Sequence, residues 1–523
     1  MRVTLVKIAK TAYTKNCRMI SKEQLLTTLK ENHPDANLGL VERAYDYAEH
    51  AHSGQMRLSG EPYFTHVVAT ARRLAQWRLP ENLVAAGLLH DVPEDTAKTP
   101  QEVEEKLKDI AMHFGSDIAS LVEGVTKLGK VQYHGIERYV ENLRKMFMAV
   151  AKDVRVVFIK FADRIDNLHD LDSVPEPKRT RIAKEALEIY APVANRLGMG
   201  AIKGELEDLA FKFVQPQEYE WALGLLVERA PSKEEYLETI KKAIEQDLNK
   251  YHIPAISIHG RVKRLYSLYN KLLEKNRDIN KVYDLVAERI IVPTVQDCYA
   301  TLGALHQKWT PLKGRIKDYI AQPKPNGYQS LHTTVFCEDG EIVEFQIRTQ
   351  KMHEKAEFGI AAHWFYVEKG KKSVEIDQHV KWLKDLAELQ KNIQDRSKFL
   401  ETLESLKIDF FKNRIFVFTP KGDVIDLPEE ATPVDLAYAI HTEIGDRCTG
   451  ARVNDQMAGL DMKLKSGDVV EIVTDKNRKG PSPDWLKFIK TTHARDKIKE
   501  SVRKTKLSGW RLRNIIPRKS VKK

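Results

Sequence analysis

The sequence predicts a multidomain chain: an all-α region first, an α/β region in the middle, and a small α+β module near the end. Three observations predict this. The 523 residues exceed one ordinary domain and suggest about three or four. Apolar residues recur at three- and four-residue spacing up to about position 210, the signature of helices with one buried face. Beyond about position 255, runs rich in β-branched residues alternate with helical patterns, as strands and helices do in an α/β layer. With 42% hydrophobic residues, the chain has apolar material for several cores.

Taken in order, residues 20–210 read as almost continuously helical. "LVERAYDYAEHAH" and "ENLRKMFMAVAKDVRVVFIKFADRIDNL" carry the helical period, with prolines at the junctions. Residues 231–250 read as one more amphipathic helix, leading a second domain over 211–370. There "ISIHGRVKRLYSLYNKL", "VYDLVAERIIV", "LHTTVFCEDGEIVEFQIRT" and "HEKAEFGIAAHWFY" mix strands with helices, and "EDG" reads as a hairpin turn. Residues 371–410 read as a linking helix, with Trp382, Leu383, Leu386 and Leu389 at helical spacing. Short strands, Gly-Asp turns and one helix over 411–476 form the compact α+β module. Residues 477–523 read as a basic helix and tail. There are no internal repeats or low-complexity tracts.

The bulk properties narrow the function classes. No stretch reaches the roughly 18 to 20 unbroken apolar residues of a membrane span, and no apolar block at the start reads as a signal peptide. Cys17, Cys298, Cys337 and Cys448 are scattered, without zinc-ligand spacing or the density of a disulfide framework. The expectation is a reduced, cytoplasmic protein with no membrane partner. A net charge of +11 points to polyanionic partners, nucleotides or RNA, although surface lysine serving solubility accounts for it equally well.

One constellation lies on the predicted helices. In "LLHDVPEDT", His90 and Asp91 follow the buried run "LVAAGLL". Imidazole nitrogen and carboxylate oxygen together suit a divalent ion such as manganese, iron or zinc. Two further ligands are available in His66 of "EPYFTH" and Asp163 of "FADRIDN", both on predicted helices beside apolar faces. A lone His-Asp pair is more often a helix cap; four such residues in an all-helical region favour a metal centre. Glu94 and Asp95, one turn on, are placed to hold and deprotonate a water. Arg57 in "GQMRLSGEP" suits substrate phosphates, or is merely a solvated loop arginine.

A second constellation lies on the predicted strands. In "EIVEFQIRT", Glu344, Gln346 and Arg348 share one face, while Val343, Phe345 and Ile347 share the other. Asp284 begins another strand in "VYDLVAERIIV". Two carboxylates on neighbouring strands suit Mg²⁺ against a triphosphate, whereas an isolated strand glutamate is usually just solvated. Cations crowd the same segment: Arg261, Lys263 and Lys271 in "GRVKRLYSLYNK", then Lys313, Arg315, Lys317 and Lys324 in "LKGRIKDYIAQPKPNGYQSLH". Within "PKPNGY", Lys324 is available to phosphate, Asn326 to a hydrogen bond and Tyr328 to stacking on a base.

These motifs resemble one family over about residues 35–505. "MRLSGEPYFTH", "LLHDVPEDT", "GVTKL", "KFADRIDNL" and "YAPVANRLGMGAIKGELEDLAF" resemble the HD-type hydrolase half of the RelA/SpoT homologues, the Rel enzymes of the bacterial stringent response. The resemblance implies that His66, His90, Asp91 and Asp163 bind Mn²⁺, that Glu94 and Asp95 serve the attacking water, and that Arg57 and Asn167 contact the nucleotide. The implied reaction removes the 3′-pyrophosphate of (p)ppGpp. "GRVKRLYSLYNK", "GRIKDYIAQPKPNGYQSLHTTV" and "EFQIRTQKMHEKAEFGIAAHW" resemble the family's nucleotidyltransferase-like synthetase domain. That implies pyrophosphate transfer from ATP to the 3′-hydroxyl of GDP or GTP, with Asp284 and Glu344 serving Mg²⁺ and the hydroxyl. Arg261, Lys263 and Arg289 would bind ATP, Lys324, Asn326, Tyr328, His332 and Gln346 the acceptor, and Lys271 would be a further nucleotide-binding residue of this site. "RIFVFTPKGDVIDLPEEATPVDLAYAIHTEIG" resembles the family's TGS domain, β-grasp-like, associated in longer members with the 3′ end of uncharged tRNA; the histidine implicated there matches His441.

The departures are informative. The family usually has His where this chain has Asp166, and often Thr at Asp170; extra carboxylates near a pyrophosphate site weaken binding by repulsion. Arg264 and Asn270 replace a more usual His and Arg, a change expected to tune ATP binding. "RIKD" at 315–318 has the basic form of bifunctional members. The chain reads as a short form ending after the TGS domain, so ribosome contact rests on that domain and the basic tail. The expectation is a bifunctional alarmone enzyme. The alternatives are a synthetase with a weakened hydrolase, or a tRNA- or RNA-binding regulator with relic catalytic domains.

Overall fold

The computed structural model describes residues 21–129, 148–150, 152–324, 326–337, 340–362, 414–421, 423–465, 467–478 and 480–515. The linking helix expected over 371–410, the first two residues of the "EDG" turn and the tail beyond 515 lie outside them. The chain divides into two units, Met1–Leu389 and Gln390–Lys523.

The first unit opens with helices. Helix Lys22–Asn32 starts at a capping box in which Ser21 and Gln24 satisfy each other's backbone N–H groups. Helix Glu81–Leu89 is apolar all round and buried from Leu83 onward, as expected of a helix with no solvent face. It packs against helix Phe64–Gln76 across Gly87, where an added Cβ would stand 2.5 Å from Leu74 Cδ1. That close approach brings His66 and His90, one on each element, to a ring separation of 5.4 Å. Helix Arg155–His169 lies across them, with Phe158, Phe161 and Ile165 in the core.

The helix expected over 231–250 is longer than predicted. It runs from Pro216 to Lys250, because Pro216 occupies the first turn, where a missing N–H costs nothing. Tyr219 and Ala222 are buried, and Trp221, Leu225 and Leu226 pack on the next core.

That core underlies a sheet of strands β1 (Ser257–Val262), β2 (Val286–Val292), β3 (Thr310–Pro311), β4 (Lys317–Asp318), β5 (Leu331–Phe336) and β6 (Ile342–Thr349). The order is β1-β2-β6-β5-β3, with β4 pairing β5; β2 and β6 run parallel and the other pairs antiparallel. Register sets two faces. Val286, Ile290, Phe345, Ile347 and Leu331 point into the apolar core, where Trp309 stacks on Phe345. Arg289, Gln346 and His332 are aligned neighbours on the opposite face. The expected alternation of Glu344, Gln346 and Arg348 against Val343, Phe345 and Ile347 is present. Asp284 does not begin a strand: the β1–β2 ladder starts at Val262 and Val286, which leaves Asp284 in the preceding loop.

The second unit holds a hairpin of β7 (Arg414–Phe418) and β8 (Val424–Pro428), and a sheet of β9 (Cys448–Val453), β10 (Gln456–Ala458) and β11 (Val470–Thr474) in the order β10-β9-β11. Helix Pro433–Ile440 covers the core formed by Val417, Leu427, Leu436, Ala451 and Val470. Among the described residues no helix is long and apolar enough to cross a membrane.

Candidate active sites

The helical centre converges on buried imidazoles. His66, His90 and Asp163 each bring one donor atom within 4.8 Å of the others. Asp91 Oδ2 lies 3.3 Å from His66 Nε2 and 3.2 Å from His90 Nε2. His90 Nδ1 donates to Gly87 O at 2.8 Å, so Nε2, buried and without a well-aligned hydrogen bond, is the nitrogen that would face a cation. A buried imidazole nitrogen held this way beside two carboxylates fits a divalent cation. Without one, the cluster neutralises itself. Burial alone would lower the pKa of His66, but hydrogen bonds to Asp163, Asp166 and Asp91 hold it well above the ordinary value.

Neighbours hold these groups in place. Tyr63 donates its hydroxyl to Asp91 Oδ2 at 2.7 Å. Lys160 pairs with Asp163 Oδ2 at 2.6 Å, and the Asn167 amide donates to Asp163 Oδ1. Both flank Asp163 on its own helix, at the spacings that bring side chains together. The sequence reading missed Tyr63 and Lys160; the three-residue spacing from Lys160 to Asp163 was the available signal. Glu94 and Asp95 lie on the short helix Val92–Asp95 immediately after Asp91. Burial, and then the charge of Asp91, raise the pKa of Asp95.

Arg57 is not a solvated loop arginine. Its side chain is 11% exposed, and NH1 reaches Asp166 Oδ2 and Asp170 Oδ2, both at 2.7 Å. NH2 lies 3.3 Å from Asn167 Oδ1. The two unexpected carboxylates are therefore engaged by Arg57, and Asp166 Oδ2 also accepts from His66 Nδ1 at 2.6 Å. Simple repulsion of substrate does not describe them.

The strand site is a cationic face around two carboxylates. Lys263 and Lys271 both close on Asp284 Oδ2, at 2.6 and 2.5 Å. Burial opposes ionisation of Asp284, but Lys263 and then Lys271 hold its pKa below the ordinary carboxylate value. Glu344 meets His332 Nδ1 at 3.2 Å and the Gln346 amide at 3.1 Å. His332 Nε2 lies 2.8 Å from the Tyr328 hydroxyl, so Glu344, His332 and Tyr328 form a hydrogen-bonded line. Arg261 donates to Gln346 Oε1 at 3.2 Å. Lys324 lies over the Tyr319 and Tyr328 rings, and burial pushes its pKa down to about 8. Asn326 shapes its turn by accepting from the Tyr328 N–H at 3.2 Å. Arg289 is 6% exposed and pairs with Glu357, which Arg348 also reaches, so Arg289 faces a carboxylate rather than solvent.

In the second unit, His441 stands between two helices rather than within one. It ends Pro433–Ile440 and caps Thr442–Arg447 by accepting from the Glu443 N–H at 3.2 Å, with its side chain exposed.

Comparison with known proteins places these features. Residues 44–200 match the HD domain, residues 260–371 the region found in RelA / SpoT proteins, and residues 415–474 the TGS domain. A GTP pyrophosphokinase of Myxococcus xanthus is 45% identical over 92% of this chain and 62% of its own length. A guanosine-3′,5′-bis(diphosphate) 3′-pyrophosphohydrolase of Aquifex aeolicus is 46% identical over 93% of this chain and 67% of its own length. A bifunctional (p)ppGpp synthase/hydrolase RelA of Mycobacterium tuberculosis is 44% identical over 91% of this chain and 64% of its own length. This chain thus spans about three fifths of the length of the first relatives it matches.

Fold and sites together define a multidomain protein with an all-α HD-type module, an α/β nucleotidyltransferase-like module and a TGS module, using divalent metal. With close to half its residues shared across two thirds of the Aquifex protein, the chain belongs to the RelA/SpoT family.

Proposed function

We propose that the chain both makes and destroys (p)ppGpp. One site transfers pyrophosphate from ATP to the 3′-hydroxyl of GDP or GTP; the other removes the 3′-pyrophosphate. The observation that carries this reading is the presence of two separately built acidic centres, His66–His90–Asp91–Asp163 and Asp284–Glu344. Relatives named for each activity, and one named for both, support it. We assign hydrolysis to residues 20–210, synthesis to 211–370 and the TGS module to 411–476, joined by 371–410 and followed by the basic segment 477–523.

In the hydrolase, His66, His90, Asp91 and Asp163 would hold Mn²⁺. A cation there lowers the pKa of a water and draws charge from phosphate. The chain does the rest: Tyr63 and Lys160 fix the carboxylates, Glu94 and Asp95 take the proton of the water, and Arg57 and Asn167 receive the nucleotide. In the synthetase, Asp284 and Glu344 would hold Mg²⁺, which neutralises triphosphate charge. Glu344, supported by His332, accepts the proton of the 3′-hydroxyl. Arg261, Lys263, Lys271 and Arg289 serve ATP, while Lys324, Asn326, Tyr328, His332 and Gln346 serve the acceptor. The same reading makes the chain cytoplasmic, alongside its nucleotide substrates, and makes the exposed His441 a contact for uncharged tRNA or the ribosome.

One observation favours a second reading, a synthetase with a weakened hydrolase: Arg57 is already engaged by Asp166 and Asp170. Incubation with ATP, GDP and Mg²⁺, and separately with ppGpp and Mn²⁺, decides between them. Turnover in both supports the bifunctional reading, turnover only in the first supports the weakened hydrolase, and turnover in neither overturns both.

A further inference from the structure

Four residues at helical spacing on or just after helix Arg155–His169 face the hydrolase centre: Asp163, Asp166, Asn167 and Asp170. Asp166 is buried, and its Oδ2 is shared. It accepts from His66 Nδ1 at 2.6 Å and from Arg57 NH1 at 2.7 Å. With Nδ1–H donated there, Nε2 is the nitrogen that would present a lone pair to a cation, and it lies 3.3 Å from Asp91 Oδ2 and 3.5 Å from Asp163 Oδ1. His90 obtains the same tautomer from a backbone carbonyl, Gly87 O. The two imidazoles thus reach one arrangement by different means, and the means used for His66 is Asp166.

We propose that Asp166 is a positioning residue of the hydrolase, whose one carboxylate oxygen fixes the ring and tautomer of His66 for the cation and holds Arg57 against the same helix face. This rests on the reading of the helical centre as a metal-dependent hydrolase. Asp166 does not touch the cation; it acts through His66. A carboxylate accepting the outer N–H of a metal-bound imidazole raises ligand basicity, and its loss typically weakens metal binding about 10- to 100-fold. Asp170 serves as a charge control, because it meets Arg57 at 2.7 Å, whereas the contact with His66 Nδ1 is made by Asp166.

The test is Mn²⁺ binding by the full chain, followed by electron paramagnetic resonance, for Asp166→Ala, Asp166→Asn, Asp170→Asn and His90→Ala, with ppGpp hydrolysis titrated against Mn²⁺ in parallel. Asp166→Ala is expected to weaken Mn²⁺ binding about 10- to 100-fold. Asp166→Asn, which keeps a neutral acceptor, should lose less, and Asp170→Asn should stay within about two-fold of the parent. Hydrolysis by the Asp166 variants should recover at high Mn²⁺, which a folding defect would not do. If both Asp166 variants bind within two-fold of the parent, or Asp170→Asn loses as much as Asp166→Ala, the positioning role is overturned. If His90→Ala binds Mn²⁺ as well as the parent, the metal reading itself falls; if only His90→Ala loses binding, that reading stands without the inference.

Discussion

Arg57 shows how much one residue's partners decide. From sequence it was either a phosphate contact or a solvated loop side chain, and the structure adds a third state in which two carboxylates hold it. On the proposed reading, substrate would compete with them for the guanidinium. The pair is buried, but Asp166 still holds Arg57 when Asp170 is neutralised, so removing the one competitor should be felt about five-fold in substrate binding, or about 1 kcal/mol. Asp170→Asn is accordingly expected to lower the KM for ppGpp by about that factor with kcat little changed. Steady-state kinetics at saturating Mn²⁺ check this, and an unchanged or raised KM would mean that Asp170 does not restrain Arg57.

At the scale of elements, caps and strand faces carry the design. Asp435 is fully buried and closes a capping box with Thr432 at the start of helix Pro433–Ile440; it also accepts from the Lys490 and Thr491 N–H groups and the Thr491 hydroxyl. Asp435→Ala would leave several buried donors unpaired, at about 1–3 kcal/mol each before relaxation, so we expect about 3 kcal/mol of destabilisation in the second unit. Denaturant unfolding followed by Trp485 fluorescence measures it. On the strand site, Lys324 is expected to give synthesis a pH limit. Burial lowers its pKa to about 8, so the ammonium proposed to meet acceptor phosphate is present below pH 8 and lost as pH rises through it. The kcat/KM for GDP should therefore fall above about pH 8, by up to ten-fold per pH unit; a flat profile to about pH 9.5 would exclude that role.

Much of this was legible at the element scale because period reports burial directly. The buried helix before His90 and the two-faced β6 were both readable. Partnerships between distant segments were not. Nothing local in "FADRIDN" says that Asp166 meets a histidine and an arginine from about a hundred residues earlier. Glu288 is a similar case: it lies inside the apolar run of β2, on the core face, where burial pushes its pKa up to about 8. The start of helix Pro216–Lys250 was missed because its first turns are held by packing on neighbouring aromatic and aliphatic residues rather than by a strong polar period.

At the scale of the first unit, the helical and α/β parts touch at a short turn. Ile360 N–H donates to Leu197 O at 3.0 Å, and Arg78 pairs with Glu354. Gly198 has φ +76°, and an added Cβ would stand 2.8 Å from Asn326 O, in the turn that carries the proposed acceptor residues. Gly198→Ala should cost about 1–2 kcal/mol in backbone strain and displace that turn, raising the KM for GDP more than that for ATP. Equal effects on both substrates would show that the contact does not reach the acceptor site. If the chain runs both proposed reactions, it wastes ATP unless the sites communicate, and this turn is one contact, beside that of Asp208 with Arg264 and Tyr266, through which they would do so.

The central proposal is that two separately built centres perform opposed reactions on the same nucleotide. Asp284→Ala and Asp91→Ala, each assayed for synthesis with ATP, GDP and Mg²⁺ and for hydrolysis with ppGpp and Mn²⁺, test it most directly. Asp284→Ala should lose synthesis by at least about a hundred-fold and keep hydrolysis, and Asp91→Ala should do the reverse. Loss of both activities in either variant, or survival of the assigned activity, would contradict the account.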